Sequence, residues 1–98
     1  MIDMYVAQNQ EVAYRVIEGE AVILTPEDGM LHSLNPVATR IFVSANGKRK
    51  VKDIINCITD EFDIGEKTAT KDVINFIEDL THKKMLTLSD KPFKKSKK

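Results

Sequence analysis

Gly29-Met30-Leu31-His32-Ser33-Leu34-Asn35-Pro36 is the stretch on which the fold turns, because it reads as a strand running directly into a capped helix. Asn35 supplies a side chain that can accept from free N–H groups at a helix start. Pro36 at the first helical position loses nothing by lacking its own N–H. The preceding run, Met30 to Leu34, holds no Lys, Pro or acidic residue. Natural sheets usually defend an exposed edge with such residues, since unpaired N–H and C=O groups recruit other chains. An undefended edge is therefore either covered or used.

Upstream, Val12 to Ile17 alternates, with Val12, Tyr14 and Val16 on one side and Ala13, Arg15 and Ile17 on the other, which predicts a strand. Glu18-Gly19 makes a two-residue hairpin link, Ala21 to Thr25 is the second strand, and Pro26-Glu27-Asp28-Gly29 turns the chain into the third. Three strands joined by short turns form an antiparallel meander whose first and third members are edges. Arg15 sits in the first, while the third carries no defence.

Downstream, the spacing predicts three helices. The first runs from Pro36 to about Ala45, burying Val37, Ala38, Ile41 and Phe42, and ends at Asn46-Gly47. A basic loop, Lys48-Arg49-Lys50, leads to the second, about Val51 to Phe62. The third spans roughly Thr68 to Lys83 with a stripe at Ala69, Val73, Phe76, Ile77 and Leu80. Ile74, with Thr70 and Thr81, lies off that stripe and broadens the apolar surface, a candidate contact flank. Met85 to Leu88 closes the chain as a short extended segment. The fold class is α+β, a three-stranded antiparallel meander followed by a three-helix, winged-helix-like bundle. Residues 1–11 read as a flexible N-terminal segment, 12–88 as the domain, and 89–98 as a disordered basic tail.

At 98 residues, with 15 Lys+Arg and 15 Asp+Glu, the chain is a small module of zero net charge. The neutrality conceals an asymmetry. Lys91, Lys94, Lys95, Lys97 and Lys98 lie in the last eight residues, which leaves residues 1–90 with ten positive and fifteen negative charges, a net of −5. An acidic body disfavours phosphates. The single cysteine, Cys57, forms no internal disulfide and fits a reducing compartment, so the expected location is the cytoplasm. The N-terminus has neither the positive flank nor the apolar run of a signal peptide, and no segment approaches membrane-spanning length.

Catalytic and metal-binding patterns are not found. His32 and His82 have no second ligand at metal spacing, and Cys57 has no local cation to activate it. There is no nucleophile elbow, phosphate-binding glycine loop or dinucleotide fingerprint. The expectation is a chain that is no enzyme, holds no metal and needs no cofactor. A winged-helix nucleic-acid-binding or regulatory domain is the alternative from another class. Its reading helix would be the third, whose outward residues Lys67, Lys71, Asn75, Glu78, Asp79 and His82 are mixed in charge, whereas groove readers present Arg, Lys, Asn or Gln. No nucleic-acid or membrane partner is expected.

The run Tyr14-Arg15-Val16, Gly19 to Leu24 and Gly29 to Phe42, followed by Asp53-Ile54-Ile55, Phe62-Asp63-Ile64 and Asp72 to Leu80, resembles the PqqD family over about residues 12–88. The resemblance implies a peptide chaperone, or RiPP recognition element. Such a protein would bind the leader segment of a ribosomally made precursor peptide as an added strand on the third strand, beside the third helix. It would present that leader to a modifying enzyme, often a radical S-adenosylmethionine protein, in the biosynthesis of pyrroloquinoline quinone or another modified peptide. On the strand side the expected peptide-binding residues are Met30, Leu31, His32 and Ser33. On the helix side they are Val73, Phe76 and Ile77 as an apolar wall, with Asp72 attracting a basic peptide residue. A weak homodimer pairing its own third strands is the remaining partner reading. Two positions depart from the family pattern: Lys50 where a Thr commonly caps the second helix, and Lys84 where the third commonly ends in Gly.

Overall fold

A computed structural model describes residues 2–26 and 28–93. In chain order the elements are β1 (Tyr5–Gln8), β2 (Ala13–Ile17), β3 (Glu20–Thr25), β4 (Met30–Ser33), α1 (Pro36–Ser44), β5 (Asn46–Lys50), α2 (Val51–Phe62), α3 (Glu66–His82) and β6 (Leu86–Ser89). The meander is present as an antiparallel sheet in the order β2-β3-β4. Its inner face presents Ala21, Ile23 and Thr25 of β3 to the core, and Leu24 points outward. From β2, Tyr14 sets its ring edge-on against Phe42 of α1, 4.9 Å away at 84°. The helices close over that face with Ile41, Phe42, Ile54, Ile58, Val73 and Ile77, all at most 2% exposed.

A second sheet, order β5-β1-β6, corrects two expectations. Residues 1–11 read as flexible, yet Tyr5–Gln8 is the central strand of this sheet, with Val6 fully buried. Lys48-Arg49-Lys50 reads as a loop, yet it belongs to β5. Tyr5 pairs with Lys50 on one side and Ser89 on the other. Partners so distant in sequence leave no local periodicity, and a four-residue strand with one buried side chain has none of its own. Of the segment read as a disordered tail, Ser89 ends β6 and the Phe93 N–H donates to the Gly47 carbonyl at 3.0 Å. Residues 94–98 lie outside the described residues. Gly47, at φ +84°, is required there, because a Cβ would stand 2.8 Å from that of Phe93.

The helix ends show how the two family departures are accommodated. At α2 the Lys50 side chain is no acceptor, but Asp53 reaches back and accepts from the Lys50 N–H at 3.0 Å, half of a capping box. At α3, Lys84 adopts φ +65°. The Met85 N–H donates to the Leu80 carbonyl at 2.8 Å and the Lys84 N–H to that of Thr81 at 3.0 Å, the paired bonds of a Schellman motif, with Met85 and Leu80 both buried. A side chain in this left-handed conformation is strained, so Lys84→Gly is expected to raise stability by about 1 kcal/mol, read as a higher urea midpoint at unchanged m-value.

Candidate functional site

The site is built around the end of β4. Leu34, just past the strand, donates its N–H to the Ala21 carbonyl at 2.9 Å. The reciprocal bond of that pair is relayed. The Ala21 N–H donates to the Thr39 hydroxyl at 2.8 Å, and that hydroxyl donates to the Leu34 carbonyl at 3.2 Å. Thr39, on α1 and only 6% exposed, thereby fastens sheet to helix. Asn35 caps α1 by accepting from the Ala38 N–H at 2.8 Å, with Pro36 following it, as the sequence predicts.

That hydrogen-bonded pair fixes the register of the open edge. Hydrogen-bonded and non-bonded pairs alternate along an antiparallel ladder. With Ala21 and Leu34 bonded, Val22 opposite Ser33 is a non-bonded pair, Ile23 opposite His32 is bonded, and Leu24 opposite Leu31 is non-bonded. The N–H and C=O groups of Leu31 and Ser33 therefore point away from β3, along an edge on which no further strand pairs among the described residues. Leu31 is 67% exposed, Met30 and Ser33 are exposed, and His32 is half-buried.

The start of the strand is held by Asp28. Its carboxylate accepts from the Met30 N–H at 3.0 Å and from the Thr25 hydroxyl. The Thr25 bond, followed by the Met30 bond, holds the carboxyl below its ordinary value. A lowered native pKa stabilises the fold above about pH 4, and that contribution is lost as pH falls through the native value. Asp28→Asn keeps the shape and removes the titration, so the variant is expected to show a shallower loss of stability between pH 5 and pH 3 in urea unfolding.

At its other end β4 runs into a groove of about 480 Å³ between the start of α1 and one flank of α3. Asn35, Val37, Ala38, Ile41 and Ile64 line it together with Asp72, Asn75, Phe76 and Asp79. Of the sequence-predicted helix residues, Asp72 and Phe76 reach it. Val73 and Ile77 do not: both are fully buried and belong to the core, so the apolar wall they were expected to form is supplied by Phe76 with Val37, Ile41 and Ile64. Ile74 lies about 200° around the helix from Asp72 and packs on the core; the broadened apolar flank is not the groove side. Asp79 is bridged to Lys83 at 3.2 Å, whereas Asp72 has no ion pair among the described residues.

The α1 contribution was hidden in the sequence because Val37, Ala38 and Ile41 fit a simple core stripe. A larger depression of about 550 Å³, built by residues such as Gln8, Asn46 and Thr87, shares no lining residue with this groove. Among the described residues no cluster of three or more His, Cys, Asp or Glu side chains could hold a metal ion, and no helix is long and apolar enough to cross a membrane.

Two solved structures share the fold. One is described as "TbiB1 in Complex with the TbiA(beta) Leader Peptide", 24% identical, covering 82% of this chain and 93% of that one with a TM-score of 0.75. The other is described as "Lasso peptide synthetase B1 complexed with the leader peptide", 18% identical, covering 84% and 96% with a TM-score of 0.73. No curated protein sequence matches significantly. The sequence profile described as Coenzyme PQQ synthesis protein D matches residues 20–86, a span that holds β3, β4, all three helices and every residue of the groove, and the chain belongs to the PqqD family.

Proposed function

We propose that this protein binds the leader segment of a ribosomally made precursor peptide as an antiparallel strand on β4 and presents it to a separate modifying enzyme, acting as a binding partner and not as a catalyst. The observation that carries this reading is the outward register of the Leu31 and Ser33 backbone on an uncharged edge that leads into the α1–α3 groove. Membership of the PqqD family supports it, as does the likeness to two chains described in complex with leader peptides. In this reading Met30, Leu31, His32 and Ser33 supply the pairing edge. Phe76 and Asp72 line the groove, and Val73 and Ile77 hold Phe76 in place from the core behind it. The modifying enzyme is a radical S-adenosylmethionine protein, and the product is pyrroloquinoline quinone or another modified peptide.

Recognition of nucleic acid is disfavoured by the same geometry. Asp72, Glu78 and Asp79 occupy the exposed surface of α3 beside Lys67 and Lys71, which offers phosphates no continuous basic face.

Asp72, exposed and without an ion pair among the described residues, stands beside an apolar wall and suits a leader with a Lys or Arg next to an apolar residue. Titration with synthetic peptides tiled along a candidate precursor peptide is the test. One window is expected to bind, and Asp72→Asn to weaken it about three- to fivefold at low salt, the scale of an exposed ion pair, with the difference shrinking at high salt. Absence of binding by every window would contradict the proposal.

A further inference from the structure

The outer face of the β2–β3–β4 sheet carries apolar residues that the core does not use. Ala21, Ile23 and Thr25 turn inward, so Leu24 at 39% exposure and Leu31 at 67% face solvent on the other side. They are directly opposite each other in the register. They form a non-hydrogen-bonded pair, the kind that brings facing side chains closest. Leu31 stands on the open edge itself, so whatever pairs with β4 lies against it.

Resting on the strand-capture reading above, we infer that the captured strand carries an aliphatic or aromatic residue directly opposite Leu31, and that this side chain packs on the outer face over Leu31 and Leu24. The register dictates the position. The outward N–H and C=O of Leu31 make it the bonded partner of one ligand residue, and residues directly opposite each other in a sheet share a face. The two neighbours of that ligand residue then point inward, on the face of Met30 and His32. The ligand is read on both faces. Its apolar residue outside alternates with residues that face inward. Solvent-exposed Leu31 is thereby a specificity residue, and because the Leu24–Leu31 pair is continuous with the pairing edge, the ligand that takes that edge in the strand-capture reading also covers this face.

The test uses the full chain and a phage-displayed library of random dodecapeptides, followed by calorimetry with the most enriched peptide. Enriched sequences are expected to share an aliphatic or aromatic residue at one position of an alternating pattern. Leu31→Ser is expected to raise Kd about tenfold, while Ile17→Ser, on the same face but on the strand farthest from the edge, changes it less than twofold. Both variants should unfold at the wild-type temperature. Unchanged affinity in Leu31→Ser, with the peptide shifting the Leu31 and Ser33 amide resonances of the wild-type protein, overturns this inference and leaves strand capture standing. A peptide that leaves those amides unshifted overturns both. A wild-type dimer in sedimentation that Leu31→Ser dissociates overturns it in favour of a second copy on this face.

Discussion

Ser33→Pro is expected to lower affinity for the leader peptide about 30-fold or more, the equivalent of about 2 kcal/mol, while the protein stays folded. The Ser33 N–H points outward from β4, so a proline there removes no bond to β3. Proline is tolerated in a sheet at such edge positions, and His32 before it is already extended. For an incoming strand the change is severe. One backbone hydrogen bond worth about 0.5–1.5 kcal/mol is lost. The pyrrolidine ring also projects into the space a neighbour must enter to within about 4.8 Å. Calorimetric titration reports the affinity, and urea unfolding should find stability within about 1 kcal/mol of wild type. Unaltered binding in a folded Ser33→Pro protein would move the contact off this edge.

The second large effect is expected at Thr39, which is not itself one of the residues lining the groove. Thr39→Val preserves the side-chain shape and removes the hydroxyl that accepts from the Ala21 N–H and donates to the Leu34 carbonyl. Both groups lie in a site where Ala21 is fully buried and Leu34 is 8% exposed. A buried polar group left without a partner costs about 1–3 kcal/mol, so the pair is expected to cost about 2–4 kcal/mol in all. For a domain of this size that lowers Tm by roughly 10–20 °C. Thr39→Ser, which keeps the hydroxyl, should lose much less. Because the hydroxyl joins β4 to α1, Thr39→Val is also expected to weaken the leader below saturation at temperatures where the variant is still folded. A thermal melt beside a titration at 10 °C separates the two effects.

These effects sit where local and long-range information meet. The meander, the Asn35-Pro36 start and the three helices were legible because each is written in adjacent residues: alternation in β2 and β3, a cap and a proline before α1, a 3.6-residue stripe in α2 and α3. The undefended edge was legible for the same reason, as a run lacking charge. The β5-β1-β6 sheet was not, since Val6 pairs with Arg49 and Leu88, residues too far away in sequence to leave a local pattern. The groove was half legible. Asp72 and Phe76 could be placed on α3 by spacing, but a helical stripe does not say where core gives way to surface. Val73 and Ile77 turned out to be core, and Val37 and Ile41 contributed to the groove from a helix that reads as packing alone. The relay through Thr39 has no sequence signal, because a Thr in a first helical turn is ordinary until the strand it meets is known.

Amide hydrogen exchange of the full chain, measured by NMR with and without the leader peptide, tests strand capture on β4 most directly. In the free protein the His32 and Leu34 amides should already be protected by β3, and those of Leu31 and Ser33 should exchange quickly. Added leader is expected to slow Leu31 and Ser33 selectively, restoring the alternation on the other side of the strand. If the leader binds and those two amides continue to exchange at their free rates while protection arises elsewhere, the account of this edge as the binding site is wrong.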